Sequence, residues 1–218
     1  MGKYNLSAPN CIELKNSAYM NLLRAVLESA SCEPTGFLFG YKSGDKCIFV
    51  NAYPVISAER TPTSVSYGNL NAIARVRNFH NFMHKLGSRE TKWIGGFHSH
   101  PYKAGNSLSA LTQLSKDDLE FIQNEMKAHK KDYWIEVIAR FKEKKAMNKW
   151  KTGKRIRFLK NKASIIIADT QYHKYKILLS AYLVLKKGIE KYSNSGAKGI
   201  NKENRSMLNV REIKIKIR

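Results

Sequence analysis

Acidic side chains are scarce in this chain: 17 Asp and Glu stand against 39 Lys and Arg over 218 residues, a formal net charge of +22. Such an excess suits a polyanionic partner, and its position matters more than its size. Residues 1–137 hold 16 basic and 12 acidic side chains, whereas residues 138–218 hold 23 and 5. The basicity therefore belongs to the last third. Cysteine is sparse as well. Cys11, Cys32 and Cys47 are an odd number without a CxxC pair, which argues against a disulfide framework and a cysteine-built metal site. Long apolar runs are missing too, so no segment reads as a membrane-spanning helix. Met1-Gly2-Lys3-Tyr4-Asn5 lacks the apolar core of a signal peptide, and the protein is expected to be cytoplasmic.

What is present is ordinary globular material, 43% hydrophobic, enough for one packed domain plus an extension. Apolar positions at helical spacing from Leu14 to Leu27, behind Asn16-Ser17, predict a first helix ending near Ala30. Residues 36–41 and 47–55 predict a hairpin across Ser43-Gly44-Asp45-Lys46. A second helix is expected over 69–86. Strands are expected at 92–97 and 133–141, with 164–168 and 175–185 as further core segments. The alternation Val210-Arg211-Glu212-Ile213-Lys214-Ile215-Lys216-Ile217 suits an edge strand. No internal repeat is evident. The order predicts an α+β domain, a mixed β-sheet flanked by helices in an αβα sandwich. Residues 1–141 would be its core, 142–185 a basic extension completing it, and 186–218 a basic, partly mobile tail.

The most informative stretch is Gly95-Gly96-Phe97-His98-Ser99-His100-Pro101. Residues two apart on a strand share a face, so His98 and His100 project together. Pro101 cannot extend an interior ladder and is expected to end the strand, leaving both imidazoles at its mouth. Ser115 precedes the apolar-periodic segment Leu119, Phe121, Ile122, Met126 and reads as an N-cap, with Asp118 at N3. Two histidines, an aspartate and an open position form the three-ligand set of catalytic Zn2+. Asp117 is the alternative carboxylate. Glu33 is the candidate general base for water.

Taken together, Glu33-x-x-Gly36-x-Leu38-x-Gly40, His98-x-His100-Pro101 and Ser115-x-x-Asp118 resemble the JAMM (MPN+) metallopeptidases, which include deubiquitinating isopeptidases. The resemblance spans about Ile12 to Phe141. It implies His98, His100 and Asp118 as zinc ligands, Glu33 as acid/base through the bound water, and Ser115 as a hydroxyl stabilising the tetrahedral oxyanion. It implies hydrolysis of a peptide or isopeptide bond, with a ubiquitin-like protein as substrate. One departure is the interval between His100 and Asp118, 17 residues where about ten are usual in the motif; an enlarged loop over 102–114 accounts for it.

The remaining histidines read differently. His80 and His84 share a helical face, but Asn81 stands where HExxH needs its glutamate, so the pair is read as having a packing or surface role, and the solitary His129 and His173 as structural. A non-catalytic MPN-like scaffold is the alternative to the enzyme. For the basic third, nucleic acid and an acidic protein surface are the open partners, beside plain solubility.

Overall fold

The computed structural model describes residues 8–28, 32–55, 59–60, 65–66, 74–76, 78–79, 91–101, 114–145, 153–168, 173–186 and 208–218. The chain opens with β1 (Cys11–Leu14) and α1 (Asn16–Glu28), followed by β2 (Thr35–Ser43) and β3 (Lys46–Pro54). Two short strands, β4 (Glu59–Arg60) and β5 (Val65–Ser66), pair only with each other. Then come β6 (Lys92–Pro101), α2 (Lys116–Ala128), β7 (Tyr133–Lys145), β8 (Gly153–Leu159), β9 (Lys162–Ala168), β10 (His173–Lys186) and β11 (Leu208–Ile217). Most of the expected 69–86 helix, including His80 and His84, lies outside the described residues, as do loop 102–113 and segment 187–207.

Strand order runs β11-β1-β3-β2-β6-β7-β10, and β10 pairs back onto β11. Seven strands thus close into a barrel. The closure works because β10 is long enough to divide one of its edges. Lys174–Leu179 pair with β9, and Ala181–Lys186 pair with β11, while the opposite edge pairs with β7 along almost its whole length. The β8–β9 pair hangs off the barrel as a two-strand extension.

This corrects the expected fold class. The α+β αβα sandwich is not found; the described chain is mainly strand, and its sheet closes on itself. The local patterns that suggested a sandwich are real, since each sheet face does carry a helix. Ala18, Tyr19, Leu22, Leu23, Ala25 and Val26 of α1 pack with Ile135, Val137, Ala139 and their neighbours. Ile122 and Met126 of α2 pack with Trp134 and Ile138 on the opposite face. What local periodicity does not encode is the partner of the last strand. β11 was expected at an edge, yet it lies parallel to β1 on one side and antiparallel to β10 on the other. Its alternating Ile213 and Ile215 are buried, as period-2 burial requires.

Among the described residues, no helix is long and apolar enough to cross a membrane.

Candidate metal centre

The β7 pleat sorts its residues into two sets. Ile135, Val137, Ala139 and Phe141 join the α1 face, so Trp134, Glu136, Ile138 and Arg140 belong to the other. Strand β6 runs parallel to β7, with Gly96 opposite Glu136, His98 opposite Ile138 and His100 opposite Arg140. Cross-strand partners share a face, so both histidines stand on the α2 side.

Helix α2 brings the third group. Asp118, Ile122 and Met126 are four residues apart and form one stripe; the two apolar members dock against Trp134 and Ile138, setting Asp118 down over the histidines. The start of the helix fixes its carboxylate. Ser115 is the N-cap, its Oγ accepting the Asp118 N–H at 3.1 Å while its own backbone N–H donates to Asp118 Oδ2 at 2.7 Å. This reciprocal capping box leaves Oδ1 directed at His98.

The donor atoms converge. His98 Nε2 lies 3.1 Å from His100 Nε2 and 3.4 Å from Asp118 Oδ1, and His100 Nε2 lies 3.8 Å from Asp118 Oδ2. Ligands at 2.0–2.1 Å around a tetrahedral ion stand about 3.3–3.4 Å from one another; the separations of His98 from His100 and from Asp118 Oδ1 lie close to that edge, while the 3.8 Å separation runs to the other carboxylate oxygen, which the Ser115 N–H holds. The three residues could hold a metal ion. Asp117, exposed on the first turn, and Glu33 stand outside the cluster.

Behind the ligands lies a residue that the sequence reading missed. Glu136, buried in β7, accepts from His98 Nδ1 at 2.8 Å and from Trp134 Nε1 at 2.7 Å. With Nδ1–H committed to Glu136, Nε2 is the nitrogen that a proton or a metal takes. The available signal was a lone carboxylate inside the apolar run Trp134-Ile135-Glu136-Val137-Ile138, since a charge is seldom buried unpaired. Gly96 keeps the space open, because a Cβ there would come within 2.8 Å of Glu136 Oε2.

Charge within the cluster is mutually sustained. Burial opposes the charged form of His98, but Asp118 and Glu136 outweigh it and lift the ring well above its ordinary range. Burial likewise pushes Asp118 up; the His98 ring and the Ser115 hydrogen bonds outweigh it and hold the carboxyl well below the usual range. A site that stabilises one cation against two carboxylates is suited to a metal cation.

Glu33 is half-buried just ahead of β2. Thr35 is registered opposite His98, and Ser99 N–H donates to the Pro34 carbonyl at 3.0 Å. Elsewhere, His129 pairs with Glu125 one helical turn back and meets the Trp93 ring edge-on, which fits a structural role.

No protein-family model matches the chain, and no curated protein matches it. Among solved structures, it is similar to the solution structure of protein DSY2949 from Desulfitobacterium hafniense. That similarity has 16% identity over 95% of this chain and 92% of the other, with a TM-score of 0.47. The resemblance to JAMM metallopeptidases does not stand. Its αβα sandwich is replaced by a closed seven-strand barrel, and no family model supports it. The motifs that suggested it are short and local: a His-x-His on one strand and a capped helix start. Such pieces can occur on more than one architecture.

Proposed function

We propose that the protein is a zinc-dependent hydrolase acting on a peptide or isopeptide bond. The observation that supports it is the convergence of His98 Nε2, His100 Nε2 and the Asp118 carboxylate, with Glu136 fixing the first ring. Two imidazoles and one carboxylate are a donor set that suits zinc, and three protein donors leave a position for chemistry. When bound, zinc supplies a Lewis acid and lowers the pKa of its water to about 7.

The chain's own groups supply the rest. Glu33, half-buried and next to Pro34, whose carbonyl accepts the Ser99 N–H between the two histidines, takes the proton from the attacking water and returns it to the leaving nitrogen, which an amide needs in order to depart. Ser115 accepts the Asp118 N–H through Oγ and keeps its hydroxyl hydrogen to donate to the developing oxyanion. Glu136 holds the orientation of His98 and takes no part in proton transfer. The cytoplasm belongs to the same reading.

Glu33→Gln tests the assignment, because it removes a base without touching the cluster. Incubation with linear and isopeptide-linked substrates, ubiquitin-like fusions first, should show hydrolysis by the native zinc-loaded protein. The variant should bind zinc normally and lose hydrolysis by roughly 100-fold or more. Full activity in the variant would assign the base elsewhere, and no cleavage by the native protein would remove the reading.

A further inference from the structure

The sheet face that carries the metal centre continues past it into a strip of cations. Following the pairings outward from His100, one row runs through Arg140, Leu178 and Ser164 to Arg157. The next row runs from Lys142 through Lys176 and Ile166 to Arg155. Directly paired residues share a face, so these side chains belong to the same side of the sheet as the histidines. Neither row contains an acidic residue.

Arg155 and Arg157 are exposed on β8, at the end of the sheet, and Lys142, Lys176 and, two residues before it on β10, Lys174 are half-buried, whereas Arg140, Leu178 and Ser164 of the first row are buried; the accessible cations of the strip are therefore Lys142, Lys174, Lys176, Arg155 and Arg157. From β7 to β8 is three inter-strand steps, about 14 Å. Like charges placed directly opposite destabilise a sheet, and Lys142 faces Lys176 in register. Lys162 differs, since it meets Glu212 at 3.6 Å.

We propose that this strip binds the phosphate backbone of single-stranded nucleic acid. The strip is formed by the face of strands, not by a helix or ribbon that could enter a duplex groove. A single strand can lie across such a face, and its charge repeats whatever its sequence. Arginine at the outer strand adds a planar fork of donors matched to phosphate oxygens. The inference stands apart from the hydrolase reading, because it requires neither metal nor turnover.

The test is fluorescence anisotropy of the full chain with a labelled 20-nucleotide single strand between 50 and 200 mM salt. Arg155→Glu/Arg157→Glu should weaken binding by roughly tenfold or more and reduce the slope of log K against log salt by about 1.4, near 0.7 per lost contact. Arg155→Gln/Arg157→Gln should show the same loss in smaller measure. Metal content should stay at the native value in both, which separates this result from damage to the metal centre. Lys127→Glu/Lys130→Glu, the same charge change in the last turn of α2 and the turn that follows it, should leave affinity within about twofold. Unchanged affinity in the β8 variants, or an equal loss in the α2 variant, would overturn the proposal. Displacement by polyglutamate as effective as displacement by unlabelled strand would also overturn it and assign the strip to an acidic protein surface.

Discussion

His98 Nδ1 lies 2.8 Å from Glu136 Oε1, the two residues being 38 apart in sequence and directly linked across neighbouring strands. The bond fixes which nitrogen of His98 faces His100 and Asp118. Carboxylates behind metal-bound histidines typically contribute 10–100-fold to affinity. Glu136→Gln keeps the shape and removes the charge, so zinc affinity should fall by about 10-fold or more with the thermal midpoint little changed. Competition titration against a chelating dye measures it. Unaltered affinity would reduce Glu136 to a packing role.

The same pair sets a pH dependence. The folded-state pKa of His98 is raised, so in the metal-free protein its contribution to stability is full below the unfolded value of about 6.5 and is lost as pH rises through the folded value. Asp118 works in the opposite sense: its folded pKa is depressed, and its contribution holds above about 3.9 and fades only in stronger acid. A metal must displace the proton on His98 Nε2. Metal binding near pH 7 should therefore release about one proton per site, and affinity should rise from pH 6 to pH 8. Calorimetry in buffers of different ionisation enthalpy counts the proton.

Barrel closure makes a separate prediction. Ile213 and Ile215 are 3% and 2% exposed in a strand that bonds both neighbours. Either Ile→Ala substitution should cost about 2–5 kcal/mol in denaturant unfolding. Removing residues 208–218 should cost the fold, because β1 and β10 would each lose a partner. A truncated chain that still melts cooperatively near the native midpoint would contradict the closed ring.

The legible parts of the molecule are those set by local rules. His98 and His100 were placed together by the two-residue repeat of a strand, and Asp118 by the serine three residues before it, a cap that the structure shows hydrogen bond by hydrogen bond. The hairpin of β2 and β3 follows from its turn residues. Glu136 was hidden because its partners come from neighbouring positions in space and only its odd company in an apolar run marked it. The barrel was hidden for a stronger reason. Val210 to Ile217 read correctly as a strand, but its two edges are occupied by segments at opposite ends of the chain, Cys11–Leu14 and Ala181–Lys186. Alternation records which face of a strand is buried and says nothing of how many neighbours it has.

The most direct test of the metal centre is elemental analysis of the purified chain beside His100→Ala. This substitution removes one donor and leaves the His98–Glu136 bond and the Ser115 cap in place. The native chain should carry about one zinc per molecule, and the variant, folded to the same thermal midpoint in metal-free form, close to none, because a three-donor site cannot spare a ligand. A native chain without bound metal after zinc loading, or a variant that retains the full complement, would contradict the assignment of His98, His100 and Asp118.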